Sequence, residues 1–155
     1  MADWMGSVIA FVIISLSASA VYCLNDIHDA ASDRQHPTKR ARPVASGAVT
    51  ITQAWGLAFV LLVTAAIVAL FVAPPEARNG LMRMMGAYLL LQVAYTLYAK
   101  KIPVVDLLAL SSSFILRILF GVAVTHIAPS FWLLACTFFG ALMLVIGKRY
   151  MERLS

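Results

Sequence analysis

Five runs of roughly twenty mostly apolar residues, near 4–24, 50–73, 80–99, 104–124 and 130–147, are separated by short polar connections. Each run is close to the ~20 residues a helix needs to cross the hydrocarbon core of a bilayer. The chain is 62% hydrophobic and 12% charged, too apolar for a soluble domain of 155 residues. The expectation is an all-α fold: a polytopic transmembrane helical bundle of about five helices, forming a single transmembrane domain over residues 1–155.

Breakers and aromatics fall where such a bundle needs them. Pro74-Pro75, Pro103 and Pro129 mark the junctions between runs, where a missing amide donor does least harm. Trp4, Trp55 and Trp132 sit near run ends, as interfacial aromatics do. The first run lacks a basic leader and ends in acids instead of a small-residue cleavage site, so it reads as a retained helix. Cys23 and Cys136 lie within apolar runs without zinc-site spacing and read as reduced, small hydrophobic residues.

The net charge of +5 is distributed as a membrane topology signal, so no nucleic-acid partner is expected. Arg34, Lys39, Arg40, Arg42, Lys100, Lys101, Lys148, Arg149 and Arg153 occupy the alternate connections and the tail that share one face, against Arg78 and Arg83 on the other. The positive-inside tendency makes the first face cytoplasmic.

One connection is chemically distinctive. Three of the seven acidic residues fall within 25–33 and four of the twelve basic residues within 34–42. If the first helix continues past Leu24, a turn of about 100° per residue places Asn25, Asp29, Asp33 and Asp26 within a single arc of about 100°. Carboxylates so crowded call for a divalent cation, and hard oxygen ligands select Mg²⁺. Lys39 and Arg42 follow in a loop after Pro37, suited to phosphate oxygens that the metal leaves free. Ser46-Gly47 is expected to lead into the next helix.

The pattern N-D-x-x-D-x-x-x-D with H-P-x-K-x-x-R-P-x-x-S-G, from Asn25 to Gly47, resembles the first aspartate-rich motif of the UbiA superfamily of intramembrane prenyltransferases. Ala94-Tyr95-Thr96-Leu97-Tyr98-Ala99-Lys100 and Gly147-Lys148-Arg149-Tyr150-Met151-Glu152 are similar to motifs of its decaprenyl-phosphate phosphoribosyltransferase branch. A second D-x-x-x-D motif, typical of the aromatic prenyltransferases, does not follow the first.

The resemblance implies an enzyme of the bacterial plasma membrane that moves 5-phosphoribose from phosphoribosyl pyrophosphate to a polyprenyl phosphate, for cell-envelope arabinan-type glycan precursors. It implies Mg²⁺ on Asn25, Asp26, Asp29 and Asp33, with Asp29 and Asp33 catalytic. Lys39, Arg42, Tyr95, Lys100, Lys148 and Arg149 would bind substrate, and the site would open to the cytoplasm. Family members have about nine membrane helices, so the resemblance is to a partial member; a homo-oligomer is compatible with the sequence. The alternatives are a prenyltransferase acting on an aromatic acceptor and a non-enzymatic membrane subunit.

Other polar residues read as structural. Arg117, deep in the fourth run, is expected to bond a neighbouring helix's carbonyls or a lipid phosphate, and a direct pair with Asp106 about three turns away is not expected. His36 is expected to support the motif from behind, and Ser111-Ser112-Ser113 to permit close helix packing.

Overall fold

The computed structural model describes residues 3–99 and 102–154. Its regular elements are helical: α1 (Asp3–Asp33), α2 (Ile51–Ile67), α3 (Pro75–Leu97), α4 (Pro103–Thr125) and α5 (Phe131–Leu154). A 3₁₀ turn (Lys39–Ala41) interrupts the first connection, and a π-helical turn (Val68–Val72) extends α2. Among the described residues, four helices are long and apolar enough to cross a membrane, namely α1, α2 with its π turn, α4 and α5. The run expected at 80–99 also forms a helix, but α3 begins earlier, at Pro75, and carries Glu76, Arg78, Asn79, Arg83 and Gln92, which lower its apolarity.

The central element is α1, which packs on α2, α3 and α4, while α5 packs on α4. The main core joins Ile9, Ile13 and Val21 of α1 to Leu81, Met85 and Tyr88 of α3 and Phe120 of α4. Large side chains turned away from this core, among them Phe11, Phe59, Phe71, Phe139 and Leu144, are exposed. That arrangement suits a protein whose surroundings are lipid tails.

Alanines let α2 approach closely. Ala54, Ala58, Ala65, Ala69, Ala73 and Ala77 are all buried, and Ala65 to Ala77 recur every fourth residue. On an ideal helix a four-residue step drifts by about 40°. The π turn, closed by the Ala73 amide donating to the Val68 carbonyl at 3.0 Å, absorbs that drift just before Pro74.

Helix α1 continues through the acidic run and stops at Asp33, slightly before the expected His36. Its 31 residues make about 46 Å of helix, longer than the ~30 Å apolar core of a bilayer. At the other end of the chain, α5 runs on to Leu154 instead of ending near 147, so Lys148 and Arg149 are helical residues. Hydropathy marks where apolar surroundings end, and nothing between Lys148 and Leu154 breaks a helix.

The entry to α2 differs from expectation. Gly47 takes a left-handed φ of 82° in the turn. The cap is Thr50, whose hydroxyl accepts from the Gln53 amide while Gln53 Oε1 accepts from the Thr50 amide.

Small residues also decide the α1/α4 contact: a methyl group at Gly6 would collide with the side chain of Val124. Gly6→Val is expected to destabilise the bundle by about 1–3 kcal/mol, read as a lower midpoint of thermal unfolding in detergent. Gly56→Ala, where an added Cβ meets nothing within 4 Å, should leave the midpoint unchanged or slightly higher.

Candidate active site

The ends of α1, α3 and α5, the middle of α4 and the first connection meet around a cavity of about 620 Å³. Asn25, Asp26, Asp29 and Asp33 line it from α1, Lys39 and Arg42 from the loop, Tyr95 from α3, and Lys148 and Arg149 from α5. Nine of the ten residues singled out by the sequence thus face one space. The tenth, Lys100, lies outside the described residues.

The acidic wall follows from helical register, since Asn25, Asp26, Asp29 and Asp33 stay on one side of α1 through its last turns. The basic side depends on the loop folding back. Arg42 Nη1 donates to Asp33 Oδ2 at 2.8 Å and lies 3.7 Å from Asp26 Oδ1. Asp33 is buried, so this charge-assisted bond compensates the water its carboxylate has lost.

The loop is held by several further contacts. His36 Nδ1 accepts from the Thr38 and Lys39 amides at 3.3 and 3.4 Å, which orients the turn bearing Lys39. Arg34 Nε donates to the Ala45 carbonyl at 3.2 Å. Val44 packs with Ala30 and Ala54, pinning the loop against α1 and α2. His36 therefore supports the motif from behind, without lining the cavity.

Across the cavity, Arg149 is committed to structure as well as to charge. Its Nε and Nη2 donate to Asp106 Oδ2 and Oδ1 at 2.7 and 2.9 Å, and Nη2 lies 3.3 Å from the Tyr95 hydroxyl. One guanidinium thus ties α5 to α4 and α3. No local pattern marks Asp106, whose partner is 43 positions away. Thr96, within the Ala94–Lys100 motif, donates its hydroxyl to Asn25 Oδ1 at 2.6 Å and lies 2.9 Å from the Gln92 carbonyl.

Arg117 belongs elsewhere. Its guanidinium stands 4.8 Å from the centre of the Phe114 ring, so its described contact is with a ring of its own helix instead of a neighbour's carbonyls. It lines a separate groove of about 370 Å³ between α1 and α4.

Among the described residues, no three Asp, Glu, His or Cys side chains group as a metal cage. Mg²⁺ does not require one, since it is usually held by one or two carboxylates with water and substrate oxygens. Asp26, Asp29 and Asp33, with Asn25 beside them on the same wall, present that donor set, with Arg42 standing 2.8 Å from Asp33 and 3.7 Å from Asp26. The cavity therefore joins hard oxygen donors to basic side chains, a donor set chemically suited to a divalent cation and phosphate oxygens.

The Arg149–Asp106 pair makes an asymmetric prediction. The Asp106 side chain is 6% exposed and that of Arg149 37%. Arg149→Ala strands a buried carboxylate and is expected to destabilise by about 2 kcal/mol. Asp106→Ala leaves a cation that can reach solvent, and its loss should be smaller. Thermal unfolding of both single variants, and of a doubly apolar variant that regains most of the loss, checks the order.

The relatives found by sequence comparison carry the same pattern of similarity along most of the chain. The decaprenyl-phosphate phosphoribosyltransferase of Mycobacterium tuberculosis is 43% identical over 143 residues, covering 92% of this chain and 46% of the relative. The enzyme of that name from Corynebacterium glutamicum is 40% identical over 144 residues, covering 93% of this chain and 42% of the relative. Nodulation protein NoeC of Azorhizobium caulinodans is 33% identical over 120 residues, covering 77% of this chain and 37% of the relative. The chain thus spans just under half the length of the phosphoribosyltransferases it matches. The UbiA prenyltransferase family profile matches residues 1–151, and the chain, with its helical bundle and apolar spans, belongs to that family.

Proposed function

We propose that this chain forms the substrate site of an integral-membrane transferase that moves 5-phosphoribose from phosphoribosyl pyrophosphate to a polyprenyl phosphate. The observation that carries the reading is the one cavity lined together by Asp26 and Asp29 and by Lys39, Arg42 and Lys148. The names of the similar mycobacterial and corynebacterial enzymes favour a phosphoribosyl donor and a decaprenyl-type acceptor. The product would serve as a precursor for arabinan-type glycans of the cell envelope.

Asn25, Asp26, Asp29 and Asp33 would hold Mg²⁺, which neutralises charge on the pyrophosphate when bound. Lys39, Arg42 and Lys148 take remaining phosphate oxygens, and Tyr95 offers a hydroxyl to the ribose or a phosphate. Asp33 keeps Arg42 aimed at the cavity. A phosphate oxygen of the lipid, already anionic, attacks the anomeric carbon of the ribose. A new C–O bond forms there as the bond to pyrophosphate breaks, and the leaving group carries away the electron pair. No strong general base is needed, so positioning and electrostatic stabilisation supply most of the rate. The basic residues at this end of the bundle favour a site open to the cytoplasm of a bacterial plasma membrane.

An aromatic prenyltransferase needs carboxylates for a second metal opposite the first motif. Here the α5 side of the cavity presents Lys148 and Arg149, which suits phosphate oxygens.

The test supplies purified protein and Mg²⁺ with labelled phosphoribosyl pyrophosphate and polyprenyl phosphate, and separately with a prenyl diphosphate and 4-hydroxybenzoate. Labelled lipid is expected from the first pair only. Asp29→Ala should reduce it by about 100-fold or more without loss of expression, and chelation of the metal should do the same. Product from the second pair alone would overturn the proposal.

A further inference from the structure

We propose that Arg117 and the groove between α1 and α4 form the subsite for the polyprenyl phosphate acceptor, an inference that rests on the transferase reading above. In it the Arg117 guanidinium holds the phosphate of the lipid, and the apolar groove holds the adjoining stretch of isoprenoid chain. Arg117 lies about 21 Å along α4 from Pro103 and about 12 Å before Thr125, well inside a membrane-spanning helix. A cation at that depth is costly unless an anion or a polar cavity receives it. Its guanidinium stands over the Phe114 ring, 4.8 Å from the centre, and among the described residues no carboxylate or carbonyl pairs with it. No acidic side chain among those residues lines its groove either.

That ring places the cation at a junction. Phe114 belongs to the lining of the large cavity, whereas Arg117, Phe120 and Gly121 line the groove, so one turn of α4 passes from the first space to the second. On α1 the same step is made by Tyr22, which lines both. Ala10, Ile14, Ala18 and Tyr22 recur every fourth residue along the groove, and the next position in that row is Asp26 of the acidic wall. From Ala10 to Tyr22 the row covers about 18 Å of helix. A chain lying in the groove therefore ends beside the cavity in which the pyrophosphate-binding residues stand.

The two surfaces match the two parts of one molecule. Contact with a ring face leaves the guanidinium's N–H groups to donate elsewhere, and their planar fork suits two phosphate oxygens at once. An isoprenoid tail offers no hydrogen-bonding group and needs only apolar walls, which Ala10, Ile14 and Phe120 supply. The phosphorylated sugar has the opposite need, and Lys39, Arg42 and Lys148 meet it in the large cavity. Separate cations for the two anionic groups let a phosphate nucleophile approach without competing for the ligands of the pyrophosphate.

The test measures equilibrium binding of tritiated farnesyl phosphate and of tritiated farnesol to the detergent-purified chain, with labelled phosphoribosyl pyrophosphate and Mg²⁺ as the third ligand. Arg117→Gln is expected to weaken farnesyl phosphate about tenfold or more while leaving farnesol and phosphoribosyl pyrophosphate at parent affinity, and Arg117→Lys to recover part of the loss. Gly121→Leu, where an added Cβ meets nothing within 4 Å, narrows the groove and should weaken farnesyl phosphate and farnesol alike. Melting curves run in parallel identify any variant that is simply unfolded, and the remaining variants then decide. Parent-like binding of farnesyl phosphate by Arg117→Gln, an equal loss for farnesol, or a matching loss of phosphoribosyl pyrophosphate would overturn the inference. So would competition by a short-chain phosphatidic acid as strong as that by unlabelled farnesyl phosphate, since the groove would then accept any anionic lipid. A parent chain that binds farnesyl phosphate through Arg117 but no phosphoribosyl pyrophosphate overturns the donor reading and leaves this subsite standing, whereas one that binds only phosphoribosyl pyrophosphate overturns this inference alone.

Discussion

The site depends on α1 remaining one unbroken helix for longer than the apolar part of a membrane is thick. Its first two-thirds supply the central packing surface, with Ile9, Ile13 and Val21 in the core. Its last turns carry Asn25, Asp26 and Asp29 on the side facing the cavity. A kink or an early stop in this helix would rotate the acids away from the loop and from α5. The same element therefore sets both the bundle and the chemistry, and packing holds the carboxylates at a fixed depth and direction.

Charge is managed by pairing across elements. Arg42 reaches back nine residues to Asp33, and Arg149 reaches 43 residues to Asp106. In each pair the carboxylate is the more buried partner, with side-chain exposures of 7% and 6% against 38% and 37% for the arginines. Buried carboxylates without such partners would be strongly unfavourable, whereas the arginines keep one edge toward the cavity. The pairs thus fix the walls of the site while leaving cationic character on its inner surface. Positioning of this kind suits a transfer in which a charged leaving group has to be stabilised as it departs.

Much of the site was legible because its residues are close together in sequence and share a helical period. Asn25 through Arg42 lie within one helix end and one loop, and spacing alone puts the acids on one side. What escaped was long-range or lay in apolar stretches. Asp106 stands in the first turn of α4, and nothing local indicates Arg149 as its partner. Thr96 lies within the Ala94–Lys100 motif, and nothing local shows that it meets Asn25 across 71 positions. Hydropathy also misjudged the ends of α3 and α5, because it reports solvent preference and not helix continuity.

The sequence by itself determined that the chain is a helical membrane bundle, which residues form the acidic face of α1, and that basic residues follow it. Those features come from periodicity and from the solvent each segment can tolerate, and both are local properties. Only the tertiary structure decided which cations meet which carboxylates, that Arg117 lies in a different groove, and that α3 contacts the amide of Asn25. Those outcomes depend on how far apart packed helices sit and how they are rotated. Side-chain volumes at the contacts, such as the alanine ladder of α2 and Gly6 against Val124, set that geometry in three dimensions.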